Sequence, residues 1–191
     1  MIFEPGDIFC TANTTPWWKP SGFVSAAIRF LTRDRGESRT KVNHVGVVVS
    51  GGTAHAEIVE ALTTVKRRRM KVYMNRPTTD VAVFRPLNLT DAELVKVVDR
   101  AIGYVGQPYG YGKLVAHFID WCLGGVYLAR RVARMDRYPI CSWLVAYSYA
   151  EAGKDFGVPA GSASPDDIWD FCVASPDKYA VVHPLEMLRH P

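Results

Sequence analysis

The sequence predicts an α+β fold: an antiparallel sheet drawn mainly from the first half of the chain, packed against helices from the second. Two observations carry this. Between residues 44 and 86, apolar and β-branched residues come in short runs broken by turn residues, as strands require. From Leu89 onward the apolar residues recur at helical spacing, and helix-start signatures stand at Thr90 and Ser164.

The elements follow in order. Pro5-Gly6-Asp7 is a turn feeding a buried strand over 7–10, and a Thr/Asn/Pro loop over 11–20 holds Trp17 and Trp18. Ser21 caps a helix running to about Thr32, with Phe23, Ala26, Ala27, Phe30 and Leu31 on one face, and 33–41 is a polar loop. Strands are expected over 44–49, closed by Ser50-Gly51-Gly52, then over 56–61, 64–73 and 81–86, the last stopped by Pro86. Thr90 and Glu93 form a capping box for a helix that presents Leu94, Val97, Val98, Ala101 and Ile102 and ends near Gly103. A glycine-rich loop, 106–112, leads into an apolar helical insertion over about 113–137. A helix then begins at Cys141 and closes at Gly153, and Ser164-Pro165-Asp166-Asp167 opens another with a capping serine, a proline at the first position and an acidic first turn.

Length and composition bound what this chain can be. With 191 residues, 48% hydrophobic and 22% charged, it is long enough for one domain with its own core, so a single domain over 1–191 is expected. The net charge of +4 is mild, and no nucleic-acid motif accompanies it, so nucleic acid is not an expected partner. Its one dense cluster, Lys66, Arg67, Arg68 and Arg69, reads first as a solvated strand and second as a weak contact with an anionic surface. The N-terminus lacks the basic and apolar regions of a secretion signal. The apolar stretch 114–134 carries His117, Asp120, a Gly124-Gly125 break and three arginines, which suits a docked hairpin better than a membrane span. The chain therefore reads as cytoplasmic as synthesised, with phage- or secretion-linked delivery as the route to any outside substrate.

Four cysteines, Cys10, Cys122, Cys141 and Cys172, show neither paired spacing nor metal-ligand spacing, so no disulfide framework, metal or organic cofactor is expected. A cysteine attacks as its thiolate, a form favoured by the first turn of a helix and further by an imidazolium neighbour. Cys141 alone has this context; the ordinary reading of any cysteine, a small buried hydrophobe, fits the other three. A histidine base needs a third group to fix its tautomer. Of five histidines, His183 and His190 lie in a proline-flanked tail and His117 on the insertion; of the remaining two, His44 begins a strand, where its position can be set rigidly. Alternation along 56–61 puts Ala56, Ile58 and Glu60 on one face, so Glu60 is a carboxylate on an otherwise apolar face, and His55 is the rival orienting residue.

The order of these motifs resembles the permuted members of the NlpC/P60 papain-like superfamily, of the YiiX-like or lecithin-retinol-acyltransferase-like type. The histidine strand HVGVVV comes first, IVEA follows, and the cysteine helix ICSWLVAYSYAEAG comes last, with PGDIF, VGQPYGYG and SPDDIWD in support. The resemblance implies a circularly permuted papain-like fold with the nucleophile at a helix N-terminus. It implies Cys141 as nucleophile, His44 as base, Glu60 as orienting group, and Tyr109 of the Gly-x-Pro-Tyr loop beside Cys141 at the oxyanion or substrate. Acyltransferases of the second type often use a second histidine in the third position, which keeps His55 open. The implied activity is cleavage of an amide bond, in peptidoglycan stem peptides or a related peptide substrate, without cofactor. A lipid acyl hydrolase or acyltransferase, with the insertion and the basic cluster facing lipid, is the alternative enzyme; a catalytically idle binding or assembly module is the alternative outside enzymes. The long insertion departs from the family pattern, as does the lack of a wall-binding domain.

Overall fold

The computed structural model describes residues 1–13, 40–110 and 139–189. The helix and loops expected over 14–39, the insertion over 113–137 with Cys122 and His117, and His190 lie outside the described residues.

Six strands form one antiparallel sheet: β1 (Ile8–Asn13), β2 (His44–Ser50), β3 (Glu57–Ala61), β4 (Val65–Arg69), β5 (Thr79–Pro86) and β6 (Tyr179–Met187), in the order β4-β3-β2-β1-β5-β6. Among the described residues three α-helices accompany it: α1 (Asp91–Gly103), α2 (Cys141–Ala150) and α3 (Pro165–Ala174). The mixed α+β class with an antiparallel sheet is thus as expected, and the strands differ from expectation mostly at their ends.

Two differences matter. The segment expected to stay extended over 64–73 leaves the sheet after Arg69 and turns through a 3₁₀ helix, Met70–Tyr73. Met70 and Tyr73 are both buried, and side chains three apart stack on one side of a 3₁₀ turn, so this apolar pair favours the turn over a strand. The tail holding His183 is a nine-residue strand rather than loose chain. Pro184 disguised it: proline is tolerated there because β6 lies at the sheet edge, where the β5 register also shifts around His183.

Alternation sorts the strands into two faces. Ile8, Val45, Val47, Val59, Ala82 and Phe84 meet the helices, joined by Leu144, Val145 and Ile168. Phe9, Val48, Ile58, Val81 and Val83 face the other way, covered by Met70, Tyr73 and Leu188. Helix α2 is buried at eight of its ten positions and packs on β2 and α1, so it needs apolar residues on nearly every side. It continues past Ala150 in a turn whose Gly153 takes a left-handed φ of 68°, a conformation that suits glycine. The capping boxes at Thr90 and Ser164 both form, with Thr90 N–H to Glu93 Oε2 at 2.8 Å and Ser164 N–H to Asp167 Oδ2 at 2.7 Å.

The N-terminal turn is locked to the sheet. Gly6 N–H donates to Val48 C=O at 2.8 Å, and Val48 N–H to Asp7 C=O at 2.8 Å. Asp7 is fully buried and accepts from Arg85 Nε and Nη2, each at 2.9 Å. The hydroxyl of Tyr149 on α2 donates to Gly6 C=O, which fixes the far end of the cysteine helix against this turn.

Candidate active site

Cys141 is the first residue of α2. Ile140 before it is extended, with φ −96° and ψ 170°, and neither a capping side chain nor an acidic residue occupies the first turn. The positive end of the helix is therefore left to the sulfur. Pairing of β2 with β3 begins only at Gly46, and the backbone N–H of Val45, one residue earlier, bears on the Cys141 sulfur together with that of Ser142. Burial pushes the thiol pKa up; the His44 imidazole and these two N–H groups outweigh it and hold it below the ordinary cysteine value.

His44 opens β2, opposite Thr11 of β1. Its Nε2 lies 2.8 Å from Glu60 Oε2, which leaves Nδ1 for the Cys141 sulfur. Burial alone would favour the neutral ring, yet the sulfur on one side and the carboxylate on the other raise its pKa above 6.5. Both shifts come from the same pairing, which favours a proton on His44 and negative charge on Cys141. The ring is braced by Phe9, edge-on at 6.1 Å between centroids. Phe9 can lie there because Gly46 has no side chain; a Cβ at that position would sit 2.5 Å from the Phe9 ring and 2.7 Å from Val59 C=O.

Glu60 is fully buried on β3, directly across from Gly46. Burial pushes its pKa up, but His44, the Tyr73 hydroxyl and Arg68 together hold it below 4.5. Tyr73 donates to Oε2, the oxygen that also meets His44. Arg68 Nη1 stands 3.2 Å from Oε1, an ion pair without the alignment of a hydrogen bond, since Oε1 has no hydrogen-bond partner. Residues 44, 60 and 141, far apart in sequence, are thus joined through one imidazole.

His55 is exposed in the turn before β3, so the orienting alternative weighed for it has no geometric support; Glu60 is the group that reaches His44. Tyr109 is half-buried against the core that contains Cys141. Its loop is pinned on both sides, by Tyr109 N–H to Thr63 C=O at 3.1 Å and Gly110 N–H to Pro139 C=O at 3.2 Å, two residues before the cysteine. Within the basic cluster, Arg67 pairs with Glu57 and Arg68 with Glu60, so two of its four cations face carboxylates of the neighbouring strand. Burial raises the thiols of Cys10 and Cys172, the opposite of what a nucleophile needs. Burial also lowers the pKa of His183, which sits on β6.

Tyr73 and Arg68 were not anticipated. Arg68 had a signal: pairing of Glu60 with Lys66 across a β3–β4 hairpin puts Arg68, two residues on, on the Glu60 face. Tyr73 had none, because expectation kept its segment extended. Among the described residues no group of three or more His, Cys, Asp or Glu side chains is placed to hold a metal ion, and no helix is long and apolar enough to cross a membrane.

No family model matches the sequence, and no curated protein matches it. Among solved structures the chain is similar to the metalloprotein yiiX from Escherichia coli, at 16% identity and a TM-score of 0.47, over 98% of this chain and 89% of that one. At that depth the likeness carries no argument about the site.

Proposed function

We propose that this chain is a cysteine hydrolase that cleaves an amide bond, on a circularly permuted papain-like fold, with Cys141 as nucleophile, His44 as acid and base, and Glu60 as the group that orients His44. The observation that carries the reading is the position of His44, with Nε2 2.8 Å from Glu60 and the Cys141 thiol on its other side at the start of a helix.

The steps follow from that arrangement. The Cys141 thiolate forms a bond to the substrate carbonyl carbon, and the oxyanion is met by the backbone N–H of Cys141, with Tyr109 beside it. The C–N bond breaks as His44 gives its proton to the leaving amine. Water then attacks the thioester, losing a proton to His44, and the C–S bond breaks to release the acid and restore the thiolate. Glu60 stays ionised throughout and keeps the imidazole in one tautomer.

Peptidoglycan stem peptide is the proposed substrate class. Digestion of purified cell wall followed by mass spectrometry is the test: new amine and carboxyl termini at one amide, absent with Cys141→Ala, are expected, and an uncut wall would remove this substrate. The lipid reading draws support from no described contact: the insertion is outside the described residues, and Arg67 and Arg68 are engaged by Glu57 and Glu60.

A further inference from the structure

We infer that Tyr73 and Arg68 are positioning residues of the candidate site, one on each oxygen of Glu60, so that the working unit is Cys141, His44 and a Glu60 held from behind by a phenol and a guanidinium. This rests on the hydrolase reading and extends it to two residues that touch no reacting atom.

Glu60 has no exposed surface, and a buried carboxylate without donors takes up a proton instead of keeping its charge. A neutral Glu60 could not balance an imidazolium. His44 supplies one donor, but that is the group Glu60 must itself hold in place. Tyr73 supplies an independent one on Oε2, and burial together with the Glu60 charge raises its own pKa well above 10.0, so it remains a donor across the working range. Its ring is clamped by Phe9, with centroids 5.5 Å apart, the same Phe9 that braces His44. Arg68 supplies positive charge at Oε1 from β4, with its side chain 31% exposed. The other cations nearby are Lys66, the register partner of Glu60 but exposed, and Arg76, whose guanidinium carbon lies 5.9 Å from the Tyr73 ring centroid.

Iodoacetamide alkylation of Cys141, followed against pH by peptide mass spectrometry on the full chain, reads this without a substrate. Tyr73→Phe keeps the ring and removes the donor; Arg68→Met removes the charge; Arg68→Lys restores it; Glu60→Gln calibrates the loss of the carboxylate. The acid limb of the alkylation profile is expected to move up by about one pH unit in Tyr73→Phe, and by less in the partly exposed Arg68→Met. Arg68→Lys should return it most of the way, with thermal unfolding of all variants checked by circular dichroism. A shift in Glu60→Gln with no shift in Tyr73→Phe and Arg68→Met would overturn the inference and leave the hydrolase reading standing. So would a downward shift, which would mean that the two groups drain charge from Glu60. A wild-type Cys141 that reacts like an ordinary thiol would overturn both.

Discussion

At the scale of single residues, the three described cysteines differ by surroundings alone. All three are buried in the same core, but Cys141 has a helix start, an imidazole and two backbone N–H groups around its sulfur that lower its pKa, whereas burial raises the thiols of Cys10 and Cys172. At about pH 6, iodoacetamide should label Cys141 on the order of tenfold faster in the wild-type protein than in His44→Ala, after the lower nucleophilicity of a low-pKa thiolate is allowed for. Cys10 and Cys172 should stay unlabelled in both, which peptide mapping would check. Much of this was legible beforehand. Pro139 ahead of a run of helix formers marked Cys141 as the start of a helix, and alternation along β3 marked Glu60 as a carboxylate on an apolar face. What was not legible is a contact made between elements: Tyr73 reaches Glu60 only because the chain turns at Met70, and period-two alternation does not extend around that turn.

At the scale of elements, local signals held wherever a residue has a local reason for its place. Thr90 and Ser164 bond to N–H groups three residues on, so their capping boxes could be read from four letters of sequence. Thr90→Ala should cost about 1 kcal/mol of stability in denaturant unfolding, with the alkylation rate of Cys141 unchanged. Gly46 is the contrasting case. Its need for a bare backbone arises across the sheet, from Phe9, and nothing in HVGVVV reveals it. Gly46→Ala should cost roughly 1–3 kcal/mol and, because Phe9 also braces His44, should lower Cys141 reactivity as well. The edges of the sheet explain two further features. Four consecutive cations on β4 keep an edge strand from pairing with another chain, and Pro184 serves β6 in the same way.

At the scale of the whole molecule, the candidate site forms where the sheet order β4-β3-β2-β1-β5-β6 sets Glu60 of β3 beside β2 and the first residue of α2 meets His44 and Val45 at the start of β2. Stability and chemistry are therefore linked through Glu60. Its folded pKa lies below the 4.5 expected in the unfolded chain, so its contribution is fully present above about pH 4.5 and is lost as pH falls through the lowered folded value. The gap in unfolding free energy between wild type and Glu60→Gln, roughly 1–3 kcal/mol at neutral pH, should close over that acid window, as urea unfolding at a series of pH values would show. The proposed chemistry depends on one charge state: a thiolate on Cys141 beside an imidazolium on His44. The most direct measurement is the ultraviolet absorbance of thiolate, titrated with pH as the difference between wild type and Cys141→Ser. The account predicts that the thiolate signal of the wild-type protein rises at lower pH than that of an ordinary cysteine, which titrates near about 8.5, and that His44→Ala displaces it upward toward that range. A signal that rises only near that ordinary value in the wild-type protein would contradict it.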